Sequence, residues 1–179
     1  YHLAVRGRAL VNVRQSVADQ YDVFPYPQRR LDDERTRLIS GELGELALVK
    51  SIYCSGHCAF DDEFRVLDAG CGEGVLSMLM VQKGAHVTGL DMSAHNVTSA
   101  RRRAVESGAQ ATFVVGDAEN LPFTDNSFDL VVSSHVIEHL PHPDRGLKEL
   151  HRVTRGRAVV AMPTCLNPTS WALLGGSGY

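Results

Sequence analysis

Three aspartates and a run of glycines carry most of the chemistry legible in this chain. Residues 66–74 read Val-Leu-Asp-Ala-Gly-Cys-Gly-Glu-Gly, so Asp68 closes an apolar run and glycine follows at every second position, Gly70, Gly72 and Gly74. Lacking a Cβ, glycine lets backbone approach a ligand closely, and a strand that feeds a helix through such a turn places that backbone at a site. Asp91 ends a second apolar run, Val87-Thr-Gly-Leu-Asp91, about twenty residues beyond the turn, where an acid accepts hydrogen bonds from ribose hydroxyls. Asp117 follows a third run in Gly116-Asp-Ala118, and a carboxylate with an apolar neighbour suits an adenine amino group. A dinucleotide fingerprint asks for glycine at position 75, held here by Val75, and for no carboxylate ahead of the turn. Asp68 and Glu73 would repel a pyrophosphate, but not a ligand carrying an amino group and a cationic centre. Single acids at strand ends commonly cap the next helix. Three in register on successive strands, with Gly-x-Gly-x-Gly on the first, point to a ligand instead.

A second cluster lies in Ser134-His-Val-Ile-Glu-His-Leu-Pro-His142, which offers His135, His139 and His142 as general bases. His135 is the best placed, directly after an apolar strand. Glu138, His139 and His142 carry metal-ligating atoms, as does Cys54-Ser-Gly-His-Cys58, but no completing ligands follow at a useful distance and no metal is expected.

The elements that must position these residues follow from periodicity. Strands are expected at Arg65–Ala69, His86–Leu90, Thr112–Gly116, Asp129–Ser134 and Arg157–Met162, with helices near 73–83, 93–107 and 142–154. Ser93 is placed to cap the second helix, with Val97, Ala100 and Ala104 along one face; Leu147, Leu150 and Val153 mark the third. Alternating strands and helices imply βαβ units and a parallel sheet, whose ligands bind at the carboxyl ends of the strands. Residues 1–64 read as an N-terminal helical cap, with helices over Leu3–Gln20 and Leu31–Ile52 broken by Tyr21-Asp-Val-Phe-Pro-Tyr-Pro27. Residues 65–179 form the core. Tyr21, Phe24 and Tyr26 are candidates to line an acceptor pocket.

At 179 residues, 44% hydrophobic and 22% charged, the chain suits a single core, and its net charge of −3 argues against a nucleic-acid partner. Arg101–Arg103 read as a solvated helix face. Four cysteines (Cys54, Cys58, Cys71, Cys165) in no framework suggest a reducing, cytoplasmic setting, and no window approaches the roughly 18 apolar residues of a membrane span.

Val66–Gly74, Gly89–Ser93, Gly116–Phe123 and Phe128–His139 together resemble the successive motifs of the class I S-adenosylmethionine-dependent methyltransferases, of the small-molecule type. The resemblance covers roughly residues 64–163. It implies an α/β, Rossmann-like, doubly wound and mostly parallel sheet in the order 3-2-1-4-5, with S-adenosyl-L-methionine as cofactor. By position it implies that Asp68, Ala69, Gly70, Cys71, Gly72 and Gly74 contact the methionine end and that Asp91 holds the ribose. Met92 flanks the adenine, Asp117 and Ala118 bind it, and Ser134 or His135 lies beside the sulfonium and the acceptor. His135 or His139 would act as base if the acceptor must lose a proton. The implied reaction is methyl transfer to O, N or C of a small molecule; the alternatives are a nicotinamide-dependent oxidoreductase and a non-catalytic binding domain. The family's sixth and seventh strands are expected to be absent here, as in a piece of a longer enzyme.

Overall fold

The computed structural model describes Phe60, residues 63–162 and the strand 170–175. Five strands, β1 (Arg65–Ala69), β2 (His86–Asp91), β3 (Ala111–Val115), β4 (Phe128–Ser134) and β5 (Thr154–Met162), pair in parallel in the order β3-β2-β1-β4-β5. This is the implied order. The sheet does not stop there, however. A sixth strand, β6 (Ser170–Gly175), runs antiparallel along β5 with Leu174 opposite Ala158 and Trp171 opposite Ala161. The expectation of no strand beyond the fifth is therefore corrected. The free edge of β5 presents backbone N–H and C=O groups that need partners, and the Trp171–Leu174 run supplies them.

Three helices connect the strands: α1 (Val75–Val81), α2 (Ala94–Ser107) and α3 (Pro143–Val153). α1 begins only after the glycines, because Gly74 sits in the left-handed region at φ +77°. Ser93 caps α2 as expected, its Oγ accepting from the Asn96 N–H at 3.2 Å, and Gly108 ends the helix at φ +67°. α3 opens on Pro143, whose missing N–H costs nothing in a first turn.

Side-chain alternation sorts the core between two faces of the sheet. Val66 packs with Leu76, Leu79 and Met80 of α1, while Val97, Ala100 and Ala104 of α2 meet Met78 and Phe113. Leu67 and Ala69, pointing the other way, join Leu150 and Val153 of α3. Helices on both faces make the sheet doubly wound. Phe60 belongs to this core as well. It is 6% exposed, stacks on Phe64 at 4.8 Å and donates its N–H to Lys83 O at 3.1 Å. The remainder of the expected cap, with its helices, Tyr21, Phe24, Tyr26 and the Cys54–Cys58 motif, lies outside the described residues, as does Cys165.

At the end of the sheet remote from the strand tips, Asp129 accepts a bidentate pair of hydrogen bonds from Arg155 and a third from the Arg65 N–H at 2.9 Å. One carboxylate thus joins the starts of β1, β4 and β5.

Candidate active site at the strand tips

The three aspartates gather at the carboxyl ends of β1, β2 and the segment after β3, but they are not level with one another. Asp68 is opposite Gly89, so Asp91 stands two residues further along than Asp68; Asp91 is opposite Val115, the last residue of β3, and Asp117 follows two residues later in the chain. The expectation that they lie in register is corrected to a staircase. At about 3.3 Å per residue along a strand and about 4.8 Å between strands, the Cα atoms of Asp68 and Asp91 stand about 8 Å apart, and Asp117 follows beyond the end of β3. An extended ligand with three polar groups fits this spacing better than a compact one. Asp68 and Asp91 share one face of the sheet, since Gly89 and Asp91 are two apart on β2.

The glycine turn is sewn to β2. Gly70 and Cys71 donate their N–H groups to Leu90 O at 2.7 and 3.0 Å, Gly72 donates to Asp91 Oδ2 at 2.8 Å, and Gly74 donates to Cys71 O at 2.9 Å. A phosphate cradle needs such donors pointing at the ligand. Here these four are spent inside the protein, and a carboxylate stands beside them. This is the physical reason a dinucleotide does not suit the turn. Gly70 (φ +83°) is closed on its other side, because a Cβ there would lie 2.1 Å from Val136 Cγ2. At Gly72 (φ +52°) a Cβ would meet nothing within 4 Å, so the turn opens there.

Asp68 is 3% exposed and accepts the Ser77 hydroxyl at 2.6 Å. Asp91, 8% exposed, receives Gly72 N–H on Oδ2, and Ser93 N–H and the Asn96 side-chain amide on Oδ1. It therefore shapes the turn besides facing any ligand. Sequence reasoning missed both Ser77 and Asn96. The available signal for Ser77 was a lone hydroxyl within the apolar run Val75–Val81. Cys71 is buried against Gly89, and burial, with Asp68 and Asp91 nearby, pushes its thiol well above the ordinary range. It fills space as a neutral thiol and is no nucleophile. Glu73 pairs with Arg103 at 2.7 Å, and Arg102 with Glu106, while Arg101 donates to Phe113 O, so the three arginines form no basic patch.

Beyond β3, Asp117 Oδ1 accepts the Glu119 N–H at 2.8 Å, and Ala118 is buried beside it. Met92, half-buried, follows Asp91 directly. On the other flank of β1, β4 ends in Ser134, and His135 then takes the left-handed conformation (φ 55°), which a non-glycine residue adopts only where its surroundings enforce it. The next residue, Val136, packs against Gly70. His135 Nδ1 lies 3.3 Å from Glu138 Oε1. His139 closes the 3-10 turn Ile137–His139 through its N–H to Val136 O and is exposed. His142 stands at the start of α3, its N–H donated to the buried Glu119 carboxylate at 2.8 Å. The tips thus unite Asp68, the glycine turn, Asp91, Met92, Asp117 and Ala118, with Ser134 and His135 across β1; His139 and His142 stand further out. Among the described residues no group of three His, Cys, Asp or Glu side chains is arranged to hold a metal ion.

The sequence profile described as a methyltransferase domain matches residues 67–162. The chain belongs to this family. Among curated proteins it is 39% identical over 114 residues to 2-methyl-6-phytyl-1,4-hydroquinone methyltransferase 2, chloroplastic, of Oryza sativa, covering 63% of this chain and 32% of that protein. It is 40% identical over 100 residues to malonyl-[acyl-carrier protein] O-methyltransferase of Pectobacterium atrosepticum, covering 56% and 38%. Its fold matches the PH0226 protein of Pyrococcus horikoshii with TM-score 0.64 and 30% identity, over 80% of this chain and 65% of the other. The chain therefore spans about a third of the length of these two curated relatives.

Proposed function

We propose that this chain binds S-adenosyl-L-methionine across the tips of β1 to β3 and directs its methyl group to O, N or C of a small-molecule acceptor. The observation that carries the reading is the glycine turn whose Gly70, Cys71 and Gly72 amide donors are consumed by β2, with Asp68, Asp91 and Asp117 at the successive strand ends beside it. Such a site favours an amine and a cationic centre over an anion. When bound, the cofactor supplies an electrophilic methyl on a sulfonium, whose positive charge is lost as the acceptor attacks.

The residues divide the work by position. Asp68, with Ala69 and the Gly70, Cys71, Gly72 and Gly74 backbone, holds the ammonium end. Asp91 takes the ribose hydroxyls, Met92 flanks the base, and Asp117 accepts from the adenine amine with Ala118 against the ring. Ser134 and His135 face the acceptor beside β1. Holding acceptor and donor in line while excluding water supplies most of the rate. Where the acceptor must lose a proton, His135 takes it: Glu138 engages Nδ1, which leaves Nε2 as the basic nitrogen. His139 is the second candidate for that step. In this reading residues 1–64, most of which lie outside the described residues, are the helical cap over the cofactor that helps shape the acceptor pocket, and residues 65–179 are the cofactor-binding core. The buried free thiol of Cys71 suits a reducing compartment, and we place the protein in the cytoplasm.

Incubation with methyl-labelled donor and a panel of hydroxylated aromatic, acyl and amine acceptors tests this reading. Label transferred to at least one acceptor, and lost with His135→Phe for acceptors with a dissociable proton, is the expected result. Tight donor binding with no product across the panel favours the non-catalytic domain instead.

A further inference from the structure

We propose that Arg152 and Glu149 of α3 are positioning residues for base recognition: they hold the segment that carries Asp117 and Ala118, and so set which purine the site accepts. This rests on the role given to Asp117 above.

Between β3 and β4 the chain runs from Gly116 to Ser127, and its ladder pairing is one isolated bridge between Asp117 and Asn120. Backbone groups in such a segment must find partners outside it. α3 provides them. A guanidinium carries five N–H donors in a fixed fork, and Arg152 uses all of them. Nε donates to Glu149 Oε1 at 2.7 Å; Nη2 donates to Glu149 Oε2 at 2.7 Å and to Leu121 O at 3.0 Å. Nη1 donates to Phe123 O at 2.7 Å and to Asp125 Oδ1 at 2.8 Å. Glu149 Oε2 in turn accepts the Leu121 N–H at 2.8 Å, so one ion pair grips both polar groups of the Leu121 backbone. At the other end of α3, Glu119 Oε1 accepts the His142 N–H. The Leu121 side chain, 4% exposed, packs in the same cluster as Leu150 and Val153.

Positions 119, 121, 123 and 125 are thus all tied to α3 or the residue before it, and the first of them orients the aspartate, since the Glu119 N–H donates to Asp117 Oδ1. An ionised carboxylate only accepts hydrogen bonds. It can distinguish adenine, which presents an amine, from hypoxanthine, which presents a carbonyl at the same place, only while it is fixed in direction. A segment released from α3 lets the carboxylate swing away and admits water, so recognition of the amine fades before binding of the ribose or the amino acid end.

Calorimetric Kd values for S-adenosylhomocysteine and S-inosylhomocysteine, measured on the whole chain, test the inference. The native protein is expected to favour the adenine ligand by about tenfold or more, the worth of one hydrogen bond to a charged group. Arg152→Gln and Glu149→Gln should reduce that ratio below about threefold, with Arg152→Lys between, because an ammonium cannot reproduce the fork. Exposed Arg102→Gln should keep the native ratio. A merely structural contribution lowers the melting temperature and the competent fraction but leaves the ratio intact. Retention of the native ratio in both Arg152→Gln and Glu149→Gln overturns the proposal. Should Arg152→Gln fail to fold, Glu149→Gln, which keeps an oxygen for the Leu121 N–H, decides alone. A native protein that binds neither ligand sinks the reading of the whole site; one that binds both equally removes the role of Asp117 and this inference with it.

Discussion

Gly70→Ala is the substitution whose cost can be worked most directly from the geometry. The residue sits at φ +83°, where an L side chain is strained by about 1–2 kcal/mol. The added Cβ would also lie 2.1 Å from Val136 Cγ2. The Val136 Cβ, at 3.2 Å, is a tight contact that a small shift relieves, so the Cγ2 methyl carries the clash. Overpacking of this kind costs about 1–3 kcal/mol, so the total is about 2–5 kcal/mol. Val136→Ala removes the clashing methyls and leaves only the backbone strain. In that background Gly70→Ala should therefore cost about 1–2 kcal/mol, a coupling of about 1–3 kcal/mol between the two positions. Urea unfolding of the four proteins of this cycle measures it. A coupling within about 0.5 kcal/mol of zero would show that β1 and β4 are not locked through this contact.

Two further outcomes follow from named contacts. Ser77→Ala deprives the buried Asp68 carboxylate of a donor and should cost about 1–3 kcal/mol of stability along with weaker donor binding; a loss below about 0.5 kcal/mol in urea denies Ser77 its role. Asp129→Asn should change the acid limb of stability. The Arg155 guanidinium, helped by the Arg65 N–H, holds the Asp129 carboxyl below its ordinary range. A folded-state value lower than the unfolded one, about 3.9, means the carboxylate stabilises the fold above about pH 4 and ceases to do so as pH falls through the folded value. The gap in unfolding free energy between native and Asp129→Asn protein should thus shrink as pH falls below about 4; a gap constant from about pH 6 to 3 contradicts it.

Much of the fold was legible because it rests on local pattern. β1 falls at the expected residues, and Ser93 caps α2 with Val97, Ala100 and Ala104 inward, because strand alternation and helix capping are properties of short windows. β6 was not legible, since a short apolar run such as Trp171–Leu174 says nothing of the edge it will join. The site was legible as a set of residue types but not as a geometry. Register between parallel strands arises from long-range packing, so the staircase of Asp68, Asp91 and Asp117 read as a level row. Likewise nothing local reveals that the glycine turn spends its donors on Leu90 and Asp91, or that Arg152 reaches across to Leu121, Phe123 and Asp125.

The central claim is that these strand tips take S-adenosylmethionine rather than a dinucleotide. Parallel calorimetric titrations of the chain with S-adenosylhomocysteine and with NADH address it most directly. Saturable binding of the first, weakened by about 1–3 kcal/mol in Asp91→Ala, with no heat from the second, is the predicted result. Saturable NADH binding with none of S-adenosylhomocysteine would contradict the account.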